Sequence, residues 1–255
     1  MILKITSHRI NAAILVAFVS VSSDTLAKGS EWSLGVAASY SPAVYNDTPS
    51  NRTVIPVIGY EGEHLFLRGF GIGYRIFPKG STQNVVLRAR YDPRTLKPED
   101  STDVDMQKLD KRKASVLGGV SYQLLSSVGM FEITAGTDIG STHDGLYAEA
   151  AWRVPIRQGP WGITPSIGYS YNSKRLNNHL YGVSQQEAAR TRFESFDAGW
   201  NGQYFAGLSG YAYLTSNIRI VGGVRYTNLD GDIAKSPIIR RGVYTSANIG
   251  IAYVF

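Results

Sequence analysis

Ser141, Thr142, His143 and Asp144 bring hydroxyls, an imidazole and a carboxylate together within four positions. These are the residue types that a serine hydrolase uses to activate its nucleophile. Such a triad works only when its members converge in space beside an oxyanion hole, which adjacent positions on a polar turn rarely do. Asp and Ser are also ordinary turn residues, so the run reads as a loop and no catalytic residue is assigned. His64 and His179 lie far apart in the chain, and a metal site would need them to meet with further ligands; they read as loop histidines. Asp100, Asp103 and Asp105 offer oxygen ligands, but the glycine that a calcium loop needs for its turn is absent. With Lys108, Lys111, Arg112 and Lys113 they read as a mixed-charge surface loop, whose basic group Lys111, Arg112 and Lys113 is placed to meet lipopolysaccharide phosphates. The chain has no cysteine, which removes disulfides, thiolate metal sites and cysteine nucleophiles. The expectation is a protein that is not an enzyme and holds no metal or cofactor. A net charge of +6 is mild, and no nucleic-acid partner is expected.

A second set of charges is ordered by period. Arg88, Arg90, Glu132, Glu149, Arg153, Arg219 and Arg225 each fall on the polar face of a segment that alternates apolar and polar. Val85, Leu87, Ala89 and Tyr91 alternate with Arg88 and Arg90; Leu146, Ala148, Ala150 and Trp152 alternate with Tyr147, Glu149 and Arg153. Segments of about 9–11 residues with a period of two, ending in aromatics, are what a transmembrane β-barrel needs. Their polar faces then line a lumen. The seven charges form either an ion-pair network that fills the barrel or a charged constriction that selects solutes.

Both ends of the chain support an exported barrel. Lys4, His8 and Arg9 precede an apolar run over 12–19, and Thr25, Leu26 and Ala27 give a small-residue cleavage pattern. That is a secretory signal peptide over residues 1–27, too short in its apolar part to span a membrane, with Lys28 opening a barrel over residues 28–255. At the other end Asn248, Gly250, Tyr253 and Phe255 lie in a strictly alternating strand that stops on Phe. This ending resembles the signal read by the outer-membrane assembly machinery. The expected location is the outer membrane of a Gram-negative cell, in contact with its lipid and lipopolysaccharide.

Loop lengths alternate as well. The links 228–241, 172–203 and 92–112 are long; those at 215–216, 155–160, 125–128 and 78–81 are short. Long outer loops and short periplasmic turns are the usual barrel topology. Even parity requires residues 64–77 to form two short strands turning near 69–71, which gives twelve strands; ten is the alternative. The long segment 172–203 carries Ser184 and Glu187 at capping-box spacing, which predicts a short helical turn over 187–192.

Three groups of residues carry a family resemblance. Tyr181, Gly182, Val183 and Ser184 are followed by Ala188, Ala189, Phe196, Asp197, Ala198 and Gly199; Tyr40, Pro42, Val54, Pro56 and Tyr60 lie near the start; Leu229, Gly231, Asp232, Ser236, Pro237 and Ile238 precede the last strand. Together they resemble the MipA/OmpV family of outer-membrane proteins. The polar, His-containing run before Tyr181 departs from the family pattern. Membership implies a scaffold that links a murein lytic transglycosylase with a bifunctional peptidoglycan synthase, a penicillin-binding protein. Related members are described as antigens, adhesins or porin-like proteins. A pore or small-ligand barrel, or a surface adhesin, is therefore the alternative.

Overall fold

The structure, a computed structural model, describes residues 31–255; the expected signal peptide over 1–27 lies outside them. The chain forms strands β1 (Glu31–Ser41), β2 (Asn51–Glu61), β3 (Leu65–Arg68), β4 (Gly71–Arg75), β5 (Gln83–Asp92), β6 (Ser115–Ser126) and β7 (Gly129–Asp138). It continues through β8 (Leu146–Arg153), β9 (Ile156–Gln158), β10 (Trp161–Asn172), β11 (Asn201–Tyr213), β12 (Ile218–Leu229) and β13 (Val243–Val254). Every strand pairs antiparallel with its neighbours, and β13 returns to β1 with Val36 opposite Ile251 and Leu34 opposite Tyr253. β8 and β9 are two parts of one crossing, both paired with β10 and broken at Val154–Pro155 opposite Pro165. A proline can donate no ladder hydrogen bond, and an interruption is where a sheet tolerates one. With β8 and β9 counted as one, the sheet is thus a closed barrel of twelve strands, of which β3 and β4 are only half-length. The short link expected over 155–160 is reduced to the turn Gly159–Pro160, because Ile156–Gln158 continue the strand.

Side chains obey the alternation. Leu34, Val54, Ile58, Ile133, Ile167, Ile249 and Ile251 point outward and are exposed. Such a belt costs a soluble protein dearly and suits a bilayer. Aromatics gather near the strand ends, Trp32 against Tyr60 and Tyr253 against Phe255 at one rim, Tyr169 against Tyr204 and Tyr171 against Trp200 at the other.

The main apolar core lies outside the barrel wall. The outer loops carry helices α1 (Lys174–Tyr181) and α2 (Gln185–Arg190), and three 3-10 turns. Leu96, Met106, Leu176, Leu180, Ile233 and Ile238 are wholly buried where these loops meet over the barrel mouth. The helix expected over 187–192 runs over 185–190, since the Ser184 cap starts it earlier. α1 carries no capping side-chain bond of this kind, and its sequence gave no signal for it.

Candidate functional site

The lumen holds a charged network built by strand pairing. The Glu132 carboxylate lies 3.2 Å from Arg88 Nη2 and 3.4 Å from Arg153 Nη1, and accepts from Gln123. Glu149 lies 3.6 Å from Arg153 Nη2 and 3.9 Å from Arg225 Nη2, and accepts from Ser170 Oγ at 2.7 Å. Arg225 sits over the Phe205 ring at 3.6 Å. Five of the seven sequence-derived charges therefore form one network. Arg90 stands beside it, 5.4 Å from the Tyr147 ring centroid and exposed to the lumen, in no close ion pair among the described residues. Arg219 stands apart, near the periplasmic rim against Tyr213. A cavity of about 350 Å³ runs through this region; nine of its lining side chains are Lys or Arg and three are Asp or Glu.

Two further clusters complete the lining. Glu61 binds Arg68 Nε at 2.8 Å and Arg75 Nη2 at 2.5 Å, and both guanidinium groups lie 4.4 Å from the Phe66 ring centroid. Phe66 in turn lies over Gly73, where a Cβ would stand 2.2 Å from the ring. Asp92 holds Arg94 through both oxygens, at 2.9 Å to Nε and 2.5 Å to Nη2. Sequence reasoning missed the first because β3 and β4 are too short to display a period, and the second because Arg94 lies in the loop beyond β5.

The barrel mouth is capped. Tyr45 donates to the Leu180 carbonyl at 2.9 Å, Ser236 Oγ to the Tyr181 carbonyl at 2.6 Å, and Val183 bridges Phe196. The motif Tyr181, Gly182 and Val183 thus lies at the centre of the cap. Gly182 has no room for a side chain, since a Cβ would stand 2.7 Å from the Asn178 carbonyl oxygen. Glu187, 2% exposed on its side chain, accepts from Arg112 Nη2 at 2.7 Å. It also accepts from the backbone N–H of Asp110 and of Ser184, each at 2.9 Å. Burial opposes ionisation there, yet these donors hold the Glu187 pKa below the ordinary value. Arg112 therefore does not reach lipopolysaccharide. It is buried as the counter-ion of Glu187, and only Lys111 and Lys113 of that basic group remain exposed.

The hydrolase residues do not converge. Ser141 and Asp144 occupy left-handed turn positions, with φ of 52° and 50°. His143 instead meets Ser115, Nε2 to Oγ at 3.2 Å, with Asp138 at 3.8 Å from Nδ1. Yet Nδ1 accepts the Gly145 N–H at 2.9 Å. The proton then resides on Nε2, the opposite tautomer to that of a base for Ser115. His143 and His179 face each other at 5.2 Å, while His64 lies elsewhere against Tyr74. Burial lowers the pKa of both His143 and His179; Asp138 opposes this at His143 and the Lys113 carbonyl at His179. Among the described residues no three His, Cys, Asp or Glu are grouped as metal ligands.

At the chain end, Asn248 and Gly250 face inward opposite Ser39 and Ala37, whereas Tyr253 and Phe255 face outward.

A closed antiparallel barrel with an apolar belt and a charged lumen defines an outer-membrane β-barrel protein. Residues 34–255 match the family model described as MltA-interacting protein MipA, and the chain belongs to that family. It is 29% identical over 225 residues to the MltA-interacting protein of Escherichia coli strain K12, covering 88% of this chain and 90% of the relative. It is 27% identical to outer membrane protein OmpV of Vibrio cholerae over 226 residues, 88% of this chain and 87% of that one. Among solved structures, an outer membrane channel from Pseudomonas putida F1 aligns over 92% of this chain and 100% of its own, with 10% identity and a TM-score of 0.41.

Proposed function

We propose that this barrel is a non-enzymatic scaffold of the outer membrane that holds a murein lytic transglycosylase, and with it a penicillin-binding protein, at the periplasmic face. The observation that supports this most is the cap. Loops 42–50, 93–114, 173–200 and 230–242 share one apolar core over the barrel mouth. A barrel whose outer end is closed by packed side chains is built for a role other than free diffusion. The relative named for interacting with MltA gives the partner class. The periplasmic turns, 62–64, 76–82, 127–128, 159–160 and 214–217, are the surface on which such a partner would dock.

Crosslinking in intact cells, followed by capture of the barrel, tests this. A lytic transglycosylase should be enriched, and replacing turn 76–82 and turn 159–160 by Gly–Ser segments should lower its recovery. No enrichment of any peptidoglycan enzyme would end the scaffold reading. The excess of cations in the lumen favours a second reading, an anion-selective pore. In planar bilayers the scaffold gives no conductance steps, and anion-selective steps would favour the pore.

A further inference from the structure

The wall of the barrel has a window. β3 and β4 turn back at Gly69 and Phe70 and are only four and five residues long. β2 pairs with β1 along its length but with β3 only at Gly59, Tyr60 and Glu61. Residues 51–58 thus have no backbone partner on that side among the described residues. Pro56, which has no N–H to donate, lies in this unpaired edge. On the far side β5 is held by β4 up to Arg90, and Tyr91 N–H then bonds the Phe70 carbonyl at 3.0 Å. Two strands are missing above the hairpin, and three strand spacings amount to about 14 Å. Loops close the top, with Thr102 N–H on the Asp47 carbonyl at 3.1 Å and Ser101 Oγ on the Asn46 carbonyl at 3.3 Å.

The lumen cavity reaches this window. Its lining includes Phe70, Ile72 and Tyr91, which are 41%, 48% and 40% exposed on the hydrocarbon-facing side. It also includes Arg88, Arg90 and Arg94 on the lumen side. A second cavity, of about 180 Å³, lies beyond Pro93 and Arg94 and shares both with the first. The turn of the hairpin lies on the outer side of the wall, so the window faces the outer half of the bilayer.

We infer that this window admits the anionic head of a single-chain membrane amphiphile, whose chain stays against Phe70, Ile72 and Tyr91 while its head meets Arg90. The charge pattern selects this occupant. Asp92 pairs with Arg94, and Glu132 draws on Arg88 and Arg153, whereas Arg90 makes no close ion pair among the described residues and lies opposite Gly71 at the sill of the window, in a lining with nine cationic side chains to three acidic ones. An aromatic mouth in hydrocarbon leading to a cation-rich lining favours an anionic amphiphile over a neutral lipid, and a free anion, which could reach the same cations from the turn 76–82, is the competitor that the test separates. At about 350 Å³ the cavity is at the small end of small-molecule sites, which suits a head and the first part of a chain.

The test uses the refolded full barrel in zwitterionic vesicles with a photoactivatable dodecanoate probe. Labelled peptides are mapped by mass spectrometry, with excess dodecyl phosphate, dodecyl maltoside or inorganic phosphate as competitor. Labelling is expected to concentrate on 70–72 and 91 and to be displaced by dodecyl phosphate alone. Gly71→Trp fills the sill, where a Cβ meets nothing nearer than 3.5 Å, and should abolish that labelling. Arg90→Gln removes the cation while Glu149 and Asp92 keep their ion pairs with Arg153, Arg225 and Arg94, and should weaken labelling about tenfold or more, the worth of a charged hydrogen bond. Retained heat-modifiable migration on gels shows that each variant has folded. Labelling spread evenly around the belt, displacement by inorganic phosphate or by dodecyl maltoside, or full labelling in Arg90→Gln would overturn the inference. So would a dimer joined through the β2 edge, seen as a crosslink between copies at 51–58.

Discussion

Replacing Glu187 by Ala tests the physical basis of the cap. The carboxylate neutralises Arg112, whose side chain is 10% exposed, and satisfies the N–H groups of Asp110 and Ser184. Truncation leaves a buried guanidinium without its counter-ion and two N–H groups without acceptors. Breaking a buried pair in this way costs about 3–5 kcal/mol. The barrel ladder shares none of these bonds, so the loss falls on the cap as a local opening equilibrium. At 1.4 kcal/mol per tenfold, the open population rises by roughly two to three and a half powers of ten. Limited proteolysis of intact cells reads this directly, because cleavage of a rapidly reclosing segment follows its open population. Cleavage within 93–114 and 173–200 should accelerate about a hundredfold or more, while heat-modifiable migration of the barrel stays unchanged. The double variant Arg112→Met with Glu187→Leu should recover the part of the loss that comes from the stranded guanidinium, since an apolar pair of similar volume often replaces a buried ion pair without penalty, while the Asp110 and Ser184 N–H groups still lack their acceptor. Cleavage within threefold of the parent in Glu187→Ala would refute the assignment of the cap's stability to this pair.

Three further outcomes follow from the same geometry. Gly182→Ala forces a Cβ to 2.7 Å from the Asn178 carbonyl oxygen and 2.9 Å from its Cα, and should cost the cap about 1–3 kcal/mol, read by the same proteolysis. His143 and His179 both titrate below their ordinary value of 6.5. The folded cap therefore prefers them neutral, keeps that stability above pH 6.5 and loses it as acidification proceeds through their lowered values. Outer-loop cleavage should rise below pH 6.5 in the parent and rise less in His143→Gln with His179→Gln. Phe255 is 70% exposed, with its ring centroid 5.1 Å from that of Tyr253. Deleting it should leave refolding in detergent intact and sharply reduce the amount assembled in the outer membrane of cells; equal loss in both would make its role structural.

What the sequence determined by itself was whatever depends on a period or on neighbouring positions. Alternation over β5 to β8, β10, β12 and β13 placed the belt and the lumen charges, because a strand presents successive side chains to opposite faces. Parity of loop lengths gave twelve strands, and the Ser184–Glu187 spacing gave a helical turn, which begins two residues earlier than expected. What only the tertiary structure decided depends on contacts between distant segments. Arg112 reads as a surface cation beside Lys111 and Lys113, and becomes a buried counter-ion because Glu187 arrives from a loop 75 residues away. His143 finds Ser115 and His179 instead of its neighbours in the chain. Parity of the loops already required a short hairpin over 64–77, and it is four and five residues long; its pairing, with β2 joined to β3 only at residues 59–61, was decided by the sheet. The window above it exists only because two strands stop while those beside them continue. The sequence showed that the strands are short; what lies beside the gap they leave is a property of the sheet.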